Sequence, residues 1–163
     1  MTSKASTSKN RLEPRDPDWD AKVRASFARQ TFMKTIEARL IALAPGACEI
    51  ELPFRGDLCQ QHGFLHGGVV TAIAANAGGY AAFTLMPPGT SVVGVEYKIN
   101  LFGSPKGERI RAKGKVLRPG RTLHAVEAEI EAEQGDTWHA VGRMLATMMC
   151  ARGIPELGQE VRA

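Results

Sequence analysis

A chain of 163 residues, 44% of them hydrophobic, is sized for one domain with one core and leaves no room for two independent catalytic domains. Lys and Arg total 21 against 17 Asp and Glu, so the formal charge of +4 suits a small anionic ligand and falls short of the basic density that nucleic acid requires. Cys48, Cys59 and Cys150 are odd in number and unpatterned, which predicts reduced thiols in a cytoplasmic protein and no disulfide framework.

The first residues have no apolar run of the kind a secretory signal needs, and 1–17 reads as a disordered tail. A helix is predicted from Trp19 to about Met33, with Val23, Phe27, Ala28 and Phe32 at helical spacing and Asp18 or Asp20 as its cap. Two short alternating runs, Ile36 to Leu43 and Cys48 to Phe54, flank the turn signal Ala44-Pro45-Gly46. Arg55 to Leu65 reads as a loop. From Gly67 a second helix runs to about Leu85 and is stopped by Met86-Pro87-Pro88-Gly89. The span 63–86 has no Asp, Glu, Lys or Arg and is long enough to raise a membrane helix. Its glycines, its alanines and Asn76 give weak transfer energy, so a buried central helix is predicted and no membrane association.

Four strands follow. Ser91 to Phe102 places Val93, Val95, Tyr97, Ile99 and Leu101 on one face. Arg109 to Leu117 sets Ile110, Ala112 and Val116 against Arg111, Lys113 and Lys115. Thr122 to Glu133 turns Val126, Ala128, Ile130 and Ala132 inward and Glu127, Glu129, Glu131 and Glu133 outward. A three-residue loop at Pro119-Gly120-Arg121 would pair Lys113 with Glu127 and Arg111 with Glu129. Thr137 to Cys150 puts Trp138, Ala140, Met144, Ala146 and Met148 on one side, and 152–163 reads as a short tail. The pattern is that of an α+β domain over 18–151: a curved antiparallel sheet wrapped around an uncharged helix that must be covered on all sides. The helix's many Gly and Ala residues suit close packing, including packing across a dimer.

The run Gln60-Gln61-His62-Gly63-Phe64-Leu65-His66-Gly67-Gly68-Val69-Val70, followed by Gly79-Tyr80-Ala81-Ala82, resembles the phenylacetic-acid-degradation type of hotdog thioesterase. Val95-Glu96-Tyr97-Lys98-Ile99-Asn100-Leu101 and Arg118-Pro119-Gly120-Arg121-Thr122-Leu123 extend the likeness over roughly Leu52 to Cys150. The resemblance implies a hotdog fold, hydrolysis of an acyl-CoA thioester, no cofactor beyond the CoA carried by the substrate, and a site shared between protomers of a homodimer or a dimer of dimers.

Thioester hydrolysis develops negative charge on the carbonyl oxygen, and unpaired N–H groups at a helix N-terminus are donors suited to it. The Gly67 N–H is the expected oxyanion donor, with Gly68 lining the acyl path. The same glycines would also serve a tight turn into a buried helix. His66 either orients this turn or touches the thioester. Gln60 and His62 are candidates to position the water or the carbonyl, and both also fit ordinary loop roles. Lys106, Arg118 and Arg121 lie on turns from which they could meet CoA phosphates.

One departure from the family pattern stands out. The acidic residue expected nine positions after His66 is Ala75, which cannot activate water. Asn76 beside it can hold a water or carbonyl but has no useful basicity. The position of an assisting serine or threonine is Gly94. Three readings stay open: an engineered active-site variant, a homologue that binds acyl-CoA without fast hydrolysis, or an enzyme that uses another carboxylate, Glu96 before Asp57. No metal site is expected, since Cys59-x-x-His62 has no second pair. A nucleophilic Cys59, His62 and Asn76 set is equally unsupported by spacing.

Overall fold

The uncharged helix forms where the sequence places it, and one sheet curves around it. The computed structural model describes residues 12–154. In chain order it contains α1 (Trp19–Arg29), α2 (Thr31–Thr35), β1 (Arg39–Ala44), β2 (Ala47–Pro53), a 3-10 turn (Gly56–Leu58), α3 (Gly67–Phe83), β3 (Thr90–Leu101), β4 (Arg109–Arg118), β5 (Leu123–Gln134) and β6 (Thr137–Arg152). The six strands lie in the order β1-β2-β4-β5-β6-β3, every neighbouring pair antiparallel. The last five of these strands all touch α3. This is the α+β hotdog architecture. No helix among the described residues is long and apolar enough to cross a membrane.

Small side chains set the helix-to-sheet distance. A Cβ added to Gly114 on β4 would lie 2.2 Å from the backbone of Ala77, and one added to Gly78 would lie 2.9 Å from Val126 Cγ2. The strands therefore approach the helix through its glycines, and Val70, Ile73, Ala74, Ala77 and Ala81 are fully buried beneath them. The opposite side of α3 is not closed, contrary to the sequence expectation: Ala72, Ala75 and Asn76 are only partly buried and Gly68 is exposed. Beside this stripe the edge strand β3 exposes Val95 (54%), Tyr97 (57%) and Leu101 (45%).

Several expectations need correction. The first helix breaks at Gln30, whose extended backbone (φ −72°, ψ 105°) separates α1 from α2. Asp18 occupies the N-cap position but its side chain does not cap the helix. The Lys–Glu register is displaced by two residues, with Lys115 opposite Glu127, Lys113 opposite Glu129 and Arg111 opposite Glu131. A bulge between Val116 and Arg118 and a longer turn cause the shift, and a two-residue slip keeps every side chain on its expected face. In β3 a bulge at Gly94/Glu96 splits the apolar row, so that Tyr97, Ile99 and Leu101 lie on the α3 side of the sheet, opposite Ala146, Met144 and Gly142, with Tyr97 and Leu101 still exposed there, whereas Val93 lies opposite Met149. A bulge between β5 and β6 likewise puts Trp138 on the outer face, where Arg111 stacks 3.8 Å from its ring centroid.

Residues 12–17, read from sequence as tail, are fixed in place. Leu12 packs on the core, Arg15 Nε donates to the Leu85 carbonyl at 3.0 Å, and Asp16 pairs with Lys22 at 2.9 Å. The rest of that tail and residues 155–163 of the C-terminal one lie outside the described residues. All three cysteines are unpaired, and burial pushes the Cys48 thiol up to about 12.

Two outcomes follow from this packing. Gly114→Ala should cost about 3 kcal/mol or more in a denaturant titration, because neither strand nor helix backbone can yield, whereas Gly56→Ala, with nothing within 4 Å of the added carbon, should stay within about 0.5 kcal/mol. His124 is 0% exposed with neither ring nitrogen hydrogen-bonded among the described residues, and burial, with a smaller push from Arg15, holds its pKa below the ordinary histidine value. The unfolded chain therefore takes up a proton that the folded chain refuses. Stability is full above about pH 6.5 and falls below it by up to about 1.4 kcal/mol per pH unit until the folded ring titrates. His124→Leu should remove that loss between about pH 6.5 and the carboxylate range; an unchanged slope in the variant would refute the assignment.

Candidate active site

The turn leading into α3 is held from both sides. Cys59 and Leu65 form an antiparallel bridge, Gln60 N–H donates to the Phe64 carbonyl at 2.8 Å, and Gly63 turns with φ 76°. Leu65 N–H donates to the Pro105 carbonyl at 3.1 Å and His66 N–H to the Leu58 carbonyl at 2.8 Å. His66 is extended (φ −61°, ψ 134°) and caps the helix, its Nδ1 accepting from Gly68 N–H at 2.9 Å.

That cap distinguishes the two glycine amides, because Gly68 N–H is committed to His66. Gly67 N–H, at the first helical position, makes no hydrogen bond among the described residues. His66 thus bonds to backbone while its ring stays exposed. With Nδ1 as acceptor, the proton of the neutral ring sits on Nε2.

The other loop candidates are used within the loop. Gln60 Oε1 accepts from His62 N–H at 3.0 Å, and His62 Nε2 lies 3.4 Å from Gln61 Nε2 on the exposed surface. Asp57 is bound to Arg55 at 2.6 Å, and that contact holds its carboxyl below the usual range. It is a surface partner of Arg55 and is not directed at the start of α3.

Ala75 lies eight residues beyond Gly67, about 12 Å along the helix. It lines a cavity of about 320 Å³ together with Asn76, Gly94, Glu96, Gln30 and Tyr80. Glu96 is on the lining of this cavity, but its Oε1 accepts from Thr147 Oγ1 at 3.0 Å, on the face of the sheet opposite to the helix-side Ala146 and Met148. Asn76 is internally engaged: its Nδ2 donates to the Ala72 carbonyl at 2.9 Å and its Oδ1 accepts from Gln30 Nε2 at 2.7 Å. Sequence reading missed Gln30, because no Gly or Pro marks the helix break there. It passed over Tyr80 as one letter of a motif.

The structure separates the three expected cations. Lys106 sits at the N-terminal end of α3, in the loop whose Pro105 carbonyl receives Leu65 N–H. Arg118 and Arg121 belong to the β4–β5 turn at the other end, where Arg15 bonds both the Leu85 and Gly120 carbonyls. Arg118 is exposed on the last residue of β4. Arg121 instead joins Arg15 and Arg152 around a second cavity of about 350 Å³ that no carboxylate lines among the described residues. Arg15 and Arg152 were invisible as partners of Arg121 because sequence reading put both in terminal tails.

Comparison with known proteins agrees with this geometry. The profile of the Thioesterase superfamily matches residues 62–139. The crystal structure of a thioesterase family protein from Silicibacter pomeroyi is 42% identical, superposes with a TM-score of 0.81, and covers 83% of this chain and 99% of its own. The 1,4-dihydroxy-2-naphthoyl-CoA hydrolase of Listeria monocytogenes is 25% identical over 61% of this chain and 81% of its own length. The Escherichia coli PaaI protein of the phenylacetic acid degradation operon shares the fold, with a TM-score of 0.74 at 16% identity over 85% of this chain and 95% of its own. With its sheet-wrapped helix, its His-Gly-Gly cap and a 42% identical relative matched along 99% of that relative's length, the chain belongs to the thioesterase superfamily of hotdog proteins.

Proposed function

We propose that this protein is an acyl-CoA thioesterase whose site is completed by a second copy of the chain. The carrying observation is that Glu96 is the one carboxylate residue among the described residues lining the cavity at Ala75; its side chain, held by Thr147 in the free chain, must turn from that hydroxyl to reach a water beside Ala75. The listerial relative's action on a CoA thioester supports the substrate class.

The reaction is acyl transfer to water. The carboxylate of Glu96 takes a proton from a water, the hydroxide oxygen bonds to the thioester carbonyl carbon, and the carbonyl oxygen becomes an oxyanion that the Gly67 N–H stabilises. Collapse breaks the C–S bond, and the CoA thiolate leaves with the electron pair and is protonated. Within one copy Gly67 and the cavity at Ala75 are about 12 Å apart, too far to meet at one carbonyl. Two copies joined edge to edge through antiparallel β3 strands, about a two-fold axis perpendicular to those strands, would bring Gly67 of one to the Ala75 cavity of the other. The open stripe of α3 and the exposed Val95, Tyr97 and Leu101 are the apolar surface such a homodimer would cover. The cavity of Arg15, Arg121 and Arg152, near the C-terminal end of α3, would take CoA phosphates, with Arg forks matching phosphate oxygens. Ala75 itself favours a second reading, an acyl-CoA-binding protein that does not hydrolyse its ligand.

Thiol release from a panel of acyl-CoA substrates decides between the two. Glu96→Gln should lower kcat by about a hundredfold or more with little change in KM. A wild-type protein that binds acyl-CoA without releasing thiol, and gains turnover in Ala75→Asp, would instead establish the binding protein. Fast turnover in both wild type and Glu96→Gln would remove Glu96 from the mechanism. Gly67→Pro deletes the proposed oxyanion donor at a first-turn position where proline is tolerated and after a residue already extended. It should lower kcat by about a hundred- to a thousandfold in a folded protein, and unchanged turnover would reject the donor.

A further inference from the structure

The cavity beside Ala75 ends in polar side chains. At the break between α1 and α2, Gln30 inserts its amide against α3, Nε2 donating to Asn76 Oδ1 at 2.7 Å and to Tyr80 Oη at 2.6 Å. Ser26 Oγ lies 3.4 Å from the same Tyr80 oxygen, and Tyr80 is only 3% exposed. Gln30 and Tyr80 line both the Ala75 cavity and a neighbouring space of about 400 Å³ bounded by Ser26, Phe32 and Ile154.

Both hydrogens of the Gln30 amide are committed, but its Oε1 accepts no hydrogen bond among the described residues. Because Gln30 lines the cavity, this oxygen is an acceptor that a group entering beside it would either bond or desolvate. A hydrocarbon tail would strip water from it without replacing the bond, a cost that a hydroxyl avoids. The Gln30 amide is bonded to both Asn76 and Tyr80, one and five residues beyond Ala75, which puts it within about 7.5 Å of Ala75 along the helix, the reach of about six chain bonds.

We propose that Gln30 and Tyr80 are specificity determinants that select acyl groups carrying a hydroxyl up to about the sixth carbon of the chain, with the hydroxyl donating to Gln30 Oε1. Tyr80 acts as a positioning residue that holds the Gln30 amide in this orientation. The inference rests on the thioesterase reading for where the carbonyl sits, and it names the acyl class that site prefers. If the cluster served only to fasten α1 to α3, replacing Gln30 would weaken all ligands alike and leave their ratio unchanged.

Calorimetric titration of the full chain with non-hydrolysable ketone analogues of 6-hydroxyhexanoyl-CoA and hexanoyl-CoA tests it, run beside thiol release from the two parent thioesters. The hydroxylated ligand should bind about tenfold tighter to the wild type. Gln30→Leu should bring the ratio close to one, and Tyr80→Phe should lower it while keeping the ring in place. Equal or weaker binding of the hydroxylated analogue to the wild type, or a ratio unmoved in a folded Gln30→Leu or Tyr80→Phe protein, overturns the proposal. A preference in binding with no thiol release from either thioester would sink the thioesterase reading and leave the acyl selection intact. Failure of both analogues to bind would overturn both.

Discussion

Everything in this molecule follows from the need to bury α3, a 17-residue helix without a charge, inside a single antiparallel sheet. Burial requires strands close to the helix backbone, and that closeness is possible because Gly114 meets Ala77 and Gly78 meets Val126 with no intervening side chain. Once the helix is fixed, so is its N-terminus. The loop before it has no freedom left, since Cys59 and Leu65 pair and His66 and Leu65 are tied to Leu58 and Pro105. The Gly67 N–H is thereby pre-organised, and a donor held rigidly in place stabilises developing charge without the reorganisation that water would need.

The same constraint explains why one side of α3 stays open in a single chain. A sheet of six strands closes around one side of the helix and stops at β3, which among the described residues has β6 on one flank and no strand on the other. What remains uncovered is the stripe holding Ala72, Ala75 and Asn76, which is also where the cavity lies. Incomplete burial and placement of the cavity are therefore one structural fact. An edge strand with exposed Val95, Tyr97 and Leu101 is a liability in isolation and a natural seam for a second copy.

The architecture was legible because its signals are strong and local. The uncharged run from Gly63 to Met86, the alternating Lys and Glu strands and the His-Gly-Gly sequence each have one economical structural solution. Register and faces were less legible. The bulges at Gly94/Glu96 and Val116/Arg118 obey no simple composition rule, and each shifts the pairing of everything beyond it. Gly68 shows what the motif alone does not carry: its N–H is taken by the His66 cap, a side-chain contact that no spacing rule announces. Gln30 and the arginine cluster stayed hidden for another reason: they are assembled from residues distant in sequence, such as Arg15 with Arg121 and Arg152, that only the closed sheet brings together.

The account's central claim is that Gly67 N–H from one copy and the Glu96 cavity of another meet at one thioester carbonyl. A crystal structure with a non-hydrolysable acyl-CoA analogue tests this directly. The account predicts the carbonyl oxygen about 2.7–3.1 Å from Gly67 N, with the acyl chain entering a second copy's cavity beside Ala75. A ligand bound wholly within one copy, or a carbonyl oxygen far from Gly67, would contradict it.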